Sequence, residues 1–109
     1  MAPTIEAMVN REFLGAHHLV QQILEEINGG MWGGCFSISD MWVKIDETSR
    51  RPDDMEGYVL DRLSSWQCVK WGDDAYWTVD GTERRVATLY VTDLGFQLQK
   101  ALTEATRDK

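Results

Sequence analysis

At 109 residues the chain is long enough for one compact core and too short for two ordinary domains of about 100 to 150 residues each. Hydrophobic residues at 43% and charged residues at 27% exclude disorder along the whole chain, so residues 1–109 read as a single domain. A formal charge of −7 repels phosphate and anionic membrane surfaces on average, which leaves only a local basic patch to bind either.

Ile5, Met8, Val9, Phe13, Ala16, Leu19, Val20, Ile23, Leu24 and Ile27 recur at spacings of three and four, which predicts one long helix over residues 5–28. Thr4 caps it, and Asn28-Gly29-Gly30 ends it. Leu14 falls roughly opposite the apolar stripe, where a second helix or a second subunit would cover it. Residues 31–34 read as a break and residues 35–38 as a short strand. Ser39 or Asp40 then caps a second helix running through Val43 to about Glu47.

Glu47-Thr48-Ser49-Arg50-Arg51-Pro52 is the loop-like break of the chain. Asp53-Asp54-Met55-Glu56 has capping-box character and introduces a third helix to about Ser65, with Met55, Val59, Leu60, Leu63 and Trp66 on its buried face. Residues 67–79 are rich in aromatic and β-branched side chains, Asp80-Gly81 favours a tight turn, and the return strand covers residues 84–91. Gly72-Asp73-Asp74 leaves open whether this is a two-stranded hairpin or a three-stranded meander. Thr92 caps a last helix that buries Leu94, Leu98, Ala101, Leu102 and Ala105, and residues 106–109 fray.

Signals for catalysis are close to empty. His17 and His18 are adjacent on a helix, so they diverge by about 100° and cannot chelate one metal together. His-Glu-x-x-His, a phosphate-cradling glycine loop and Gly-x-Ser-x-Gly are all absent from the sequence, so no enzyme, metal or cofactor is expected. The carboxylate pairs Glu25-Glu26 and Asp53-Asp54 read as solvated or capping groups. Cys35 and Cys68 lack zinc or redox spacing and read as reduced core thiols.

No apolar run approaches the roughly 20 residues needed to cross a bilayer. Glu6, Arg11, Glu12, His17 and Glu25 stand where a signal peptide would be apolar, so a soluble cytoplasmic protein is expected. Of the five tryptophans, most belong in the core. If the strand is unbroken, Trp71 and Trp77 share its parity with Val69 and Val79 and predict one buried sheet face, whereas Trp32 beside glycines is the best candidate for an exposed anchor or dimer contact.

The order helix, short strand, helix, helix, hairpin, helix, together with the junction Leu89-Tyr90-Val91-Thr92-Asp93-Leu94-Gly95, resembles the winged helix-turn-helix domains of MarR-like and PadR-like regulators. The resemblance spans most of the chain in element order and only the junction in motif. It implies a mainly α fold with a small antiparallel β hairpin or meander, an α+β class. The third helix would enter the major groove of double-stranded DNA, and residues 78–85 would form the wing tip. It also allows a small apolar effector between the first helix and the wing.

The outward face of that third helix is Gly57, Tyr58, Asp61, Ser64 and Ser65, with one acid and no base. Candidate DNA contacts are therefore Tyr58, Ser64 and Ser65 with the cations Arg50, Arg51, Arg62, Lys70, Arg84 and Arg85, which would form a phosphate-binding rim. Alternatively those cations are partners for Asp53, Asp54, Asp73, Asp80 and Glu83. The first expectation is a homodimeric DNA-binding transcriptional regulator with Leu14, Trp32 and Phe96 at its dimer contact. The second is an acidic winged-helix module that binds a basic protein partner in place of DNA, including a phage-type inhibitor that mimics nucleic-acid charge, with Asp53, Asp54, Asp61 and Asp73 on one face.

Overall fold

A computed structural model of the chain describes residues 2–34, 40–45, 48–79 and 81–107. The N-terminal stripe is helical in two pieces. α1 (Ile5–Ala7) starts where Thr4 Oγ1 accepts the Ala7 N–H at 3.1 Å, then widens into a π-helical turn, Met8–Glu12. There the Phe13 N–H reaches back five residues to the Met8 carbonyl at 2.8 Å, which keeps Phe13 inward. Gly15 follows at φ +85°, a conformation that closes the turn before α2 (His17–Asn28) and leaves Leu14 outside. The Val9 carbonyl, displaced from its regular helical partner, meets His17 Nε2 at 2.7 Å, so that nitrogen carries the hydrogen.

The expected break at residues 31–34 and the expected second helix are strands. β1 (Trp32–Gly34), β2 (Met41–Ile45) and β3 (Thr48–Arg50) form an antiparallel meander, with Trp32 opposite Val43 and Val43 opposite Arg50. Met41 and Val43 face the main core while Trp42 faces the other side, so both faces of β2 are buried and no polar alternation marks it. The loop-like stretch 47–52 contains β3. The expected strand at residues 35–38 lies outside the described residues.

α3 (Asp54–Ser65) has both halves of its capping box: Asp53 Oδ1 accepts the Glu56 N–H at 2.8 Å, and Glu56 Oε1 accepts the Asp53 N–H at 3.0 Å. Its buried face holds Val59, Leu60 and Leu63 as expected, with Trp66 beyond its end, but Met55 and Glu56 exchange places. Met55 is 52% exposed and Glu56 only 5%. The cause is the box itself together with Arg50, whose guanidinium draws the Glu56 carboxylate inward.

β4 (Val69–Val79) and β5 (Thr82–Val91) form the long hairpin, with Gly81 at φ +76° in its turn; Asp80 lies outside the described residues. β5 also pairs with β1, giving a five-stranded antiparallel sheet in the order β3-β2-β1-β5-β4. The class is thus mixed α and β, with more sheet than a hairpin or meander. β4 runs on through Gly72-Asp73-Asp74, but the register moves from Trp71 opposite Leu89 to Asp74 opposite Ala87. That is three steps on β4 against two on β5, a β-bulge that inverts the side-chain parity.

Val69 and Trp71 consequently face the main core, whereas Ala75, Trp77 and Val79 join Trp42 and Val86 in a second cluster across the sheet. The expectation that Trp71 and Trp77 share one face is corrected by this bulge. The Trp77 ring lies against Gly33, where an added Cβ would stand 3.0 Å from it. The sheet curls enough for β3 at one edge to approach β4 at the other. The main core fills the space between the sheet and the helices.

α4 (Asp93–Arg107) begins where Thr92 Oγ1 accepts the Gly95 N–H at 3.3 Å and donates to the Gln67 carbonyl at 2.7 Å. Leu98 and Leu102 are buried, flanked by half-buried Leu94, Ala101 and Ala105, as the spacing predicts. Thr106 and Arg107 remain helical, and the last two residues lie outside the described set.

Candidate functional site

The candidate phosphate rim resolves into separate ion pairs. Arg50, on β3, donates to both carboxylate oxygens of Glu56 at 2.8 and 2.9 Å. Arg50 holds the Glu56 carboxyl below its ordinary pKa against the opposing effect of burial, and the same hydrogen bonding raises the Arg50 guanidinium. Arg51 reaches Asp40 at 3.0 Å and lies 3.9 Å above the Trp42 ring. Arg85 pairs with Asp74 through Nε at 2.9 Å and through a second, terminal nitrogen.

Arg62 sits 3.8 Å from Asp61, with its guanidinium 4.9 Å above the Tyr58 ring. Its pKa is raised, first by hydrogen bonding with Tyr58 and then by the charges of Asp61 and Glu12. The partners therefore differ from the expected acids: they are Glu56, Asp40, Asp74 and Asp61, while Asp53 is occupied as a helix cap.

Among the described residues, Lys70 and Arg84 have no ion-pair partner. Lys70 is opposite Tyr90 and Arg84 opposite Trp77, at the two ends of the hairpin and roughly 20 Å apart at about 3.3 Å per residue. Arg84 and Arg85 are neighbours on one strand and point to opposite faces. Tyr58 and Ser65 are exposed on α3, and Ser64 is half-buried. The structure thus places the candidate DNA contacts on several surfaces and matches most of the cations locally.

Of the candidate dimer contacts, Leu14 is 70% and Phe96 44% exposed. Trp32 is fully buried, with its indole N–H donating to Glu26 Oε1 at 3.2 Å, so it is no exposed anchor. Its neighbouring glycines belong to a central strand, which points the ring into the main core.

A groove of about 310 Å³ runs beside Leu14, lined also by Gly15, Ala16, His17, His18, Leu19, Met55 and Thr106. Elements α2, α3 and α4 contribute to it and the hairpin does not, so it is not the expected space between first helix and wing. Sequence reasoning missed it by placing Met55 in the core. The available signal was the capping box, which fixes Glu56 against the helix start and turns its neighbour outward.

Cys68 is buried and its thiol is pushed up to about 11 by burial, which makes it an inert core thiol; Cys35 lies outside the described residues. Among the described residues, no group of three or more His, Cys, Asp or Glu side chains is placed to hold a metal ion, and no helix is long and apolar enough to cross a membrane. No protein-family model, curated protein or solved structure matches the chain.

Proposed function

We propose that the chain is an acidic protein-interaction module that binds a basic partner and does not use DNA phosphate as its ligand. The observation that supports this reading is that four of the six candidate cations, Arg50, Arg51, Arg62 and Arg85, already hold carboxylates in a chain of net charge −7. Non-specific DNA affinity grows with the number of phosphates neutralised, and Lys70 and Arg84 alone supply little of it. An inhibitor that presents nucleic-acid-like charge to a basic site falls within this reading.

Fluorescence anisotropy with a labelled random-sequence duplex across a salt series tests it. The expected result is no binding even at low salt, while polylysine binds with an affinity that falls as salt rises. The second reading is a homodimeric winged-helix regulator in the cytoplasm. In its favour are the long β4–β5 hairpin leading directly into α4 and the exposed Arg84 on that hairpin. Duplex binding that weakens linearly in log salt and is lost in Arg84→Ala/Arg85→Ala would establish that reading instead.

A further inference from the structure

Three of the six large hydrophobic side chains that stand exposed among the described residues lie on one face: Leu14 at 70%, Met55 at 52% and Tyr58 at 43%. Leu14 and Met55 line the same groove. Tyr58 follows Met55 by one turn of α3, and Arg62 covers its ring one turn further on. Two devices hold the apolar groups out of the core. The π turn and Gly15 put Leu14 outside the helical stripe, and the capping box with the Arg50 and Glu56 pair turns Met55 outward.

We infer that this face is a docking surface for a basic amphipathic helix of another protein, its apolar side seated between Leu14 and Met55 and its cations over the surrounding acids. The inference rests on the acidic-module reading and names the site at which that module binds. Leu, Met, Tyr and Arg around a groove fit the helix-in-groove mode, in which apolar anchors at helical spacing enter the recess. Charge selects the occupant. Glu12 and Asp61 act on Arg62 at the Tyr58 end and Asp54 precedes Met55, against Arg62, already matched to Asp61, and Arg107, next to groove-lining Thr106. A second copy would set the same acidic margin against itself, whereas a lysine-rich helix complements it.

The test uses the full chain and a leucine and lysine peptide whose leucines recur at helical spacing, with a scrambled peptide of equal composition as control. Amide chemical shifts should move at Leu14, His18, Met55 and Tyr58. Leu14→Ser/Met55→Ser should weaken binding by about tenfold or more at unchanged Tm, because both side chains are already exposed. Equal binding of the scrambled peptide, with shifts spread over acids elsewhere, would overturn the docking face and leave the acidic module standing. Failure of this peptide and of polylysine to bind would remove both. Concentration-dependent dimerisation abolished by Leu14→Ser would assign the face to a second copy and overturn the inference.

Discussion

Arg50 and Glu56 hold each other through two hydrogen bonds, at 2.8 and 2.9 Å, and so tie the edge strand β3 to the first turn of α3. Glu56 also accepts the Asp53 N–H, which makes one carboxylate both a helix cap and the anchor of an edge strand. Arg50→Met should destabilise the fold by about 1–2 kcal/mol, a figure kept low because the Arg50 side chain is 42% exposed. Chemical denaturation measures it. The Glu56 pKa is lowered on folding, so its contribution is present above the unfolded carboxyl pKa and lost as pH falls through the lower folded value. Glu56→Gln should flatten that acid limb of the stability profile.

Cys68 gives the opposite sign. Burial raises its thiol from 9.0 to about 11, so its stabilising effect is complete below pH 9 and declines as pH rises through about 11. The loss should reach about 3 kcal/mol and be absent in Cys68→Ala. In a Cys35→Ser background, thiol reagents should label Cys68 only as fast as the protein unfolds. Rapid labelling of the folded chain would contradict the buried position.

Two glycines should respond in opposite directions. A Cβ at Gly95 would collide with the Cys68 carbonyl oxygen and the Val91 side chain, so Gly95→Ala should cost about 1–3 kcal/mol or more by displacing α4. Gly57, within α3, has open space around its Cα, and Gly57→Ala should stabilise by about 0.5–1 kcal/mol through helix propensity. Thermal melts of the two variants check both.

Deleting Asp73 would remove the extra residue of the bulge, and regular pairing of Trp71 with Leu89 and of Asp74 with Ala87 would leave Ala75, Trp77 and Val79 on the face they now hold. The variant should keep cooperative unfolding and a native-like near-ultraviolet circular dichroism spectrum. Loss of either would show that the second cluster depends on the local geometry of the bulge as well as on the parity it sets.

Elements governed by neighbours in sequence were readable from it. Thr4, Asp53 with Glu56, and Thr92 are local caps, and each opens a helix where expected. The core positions of α4 followed from spacing alone. β1 and β2 were not readable because their reasons are distant: Gly33 is in a strand beneath Trp77, and Met41-Trp42-Val43 has both faces covered by other segments. The groove was hidden for a related reason. Whether Met55 or Glu56 turns inward depends on Arg50 as well as on the spacing within α3. The acids expected to match the cations were chosen by proximity in sequence, whereas Arg51 with Asp40 and Arg85 with Asp74 are brought together by strand pairing.

The bulge in β4 acts as a change of phase within a single strand. Inboard of it, odd-numbered residues serve the helical side; outboard, odd-numbered residues serve the other. Length changes in the outer hairpin are therefore subject to arithmetic: paired insertions near the turn preserve the frame of Trp77 and Val79, while a single insertion between the bulge and Trp77 would reverse it. Substitutions alter one side chain at a time, but an odd insertion there would re-address the whole outer half of the strand.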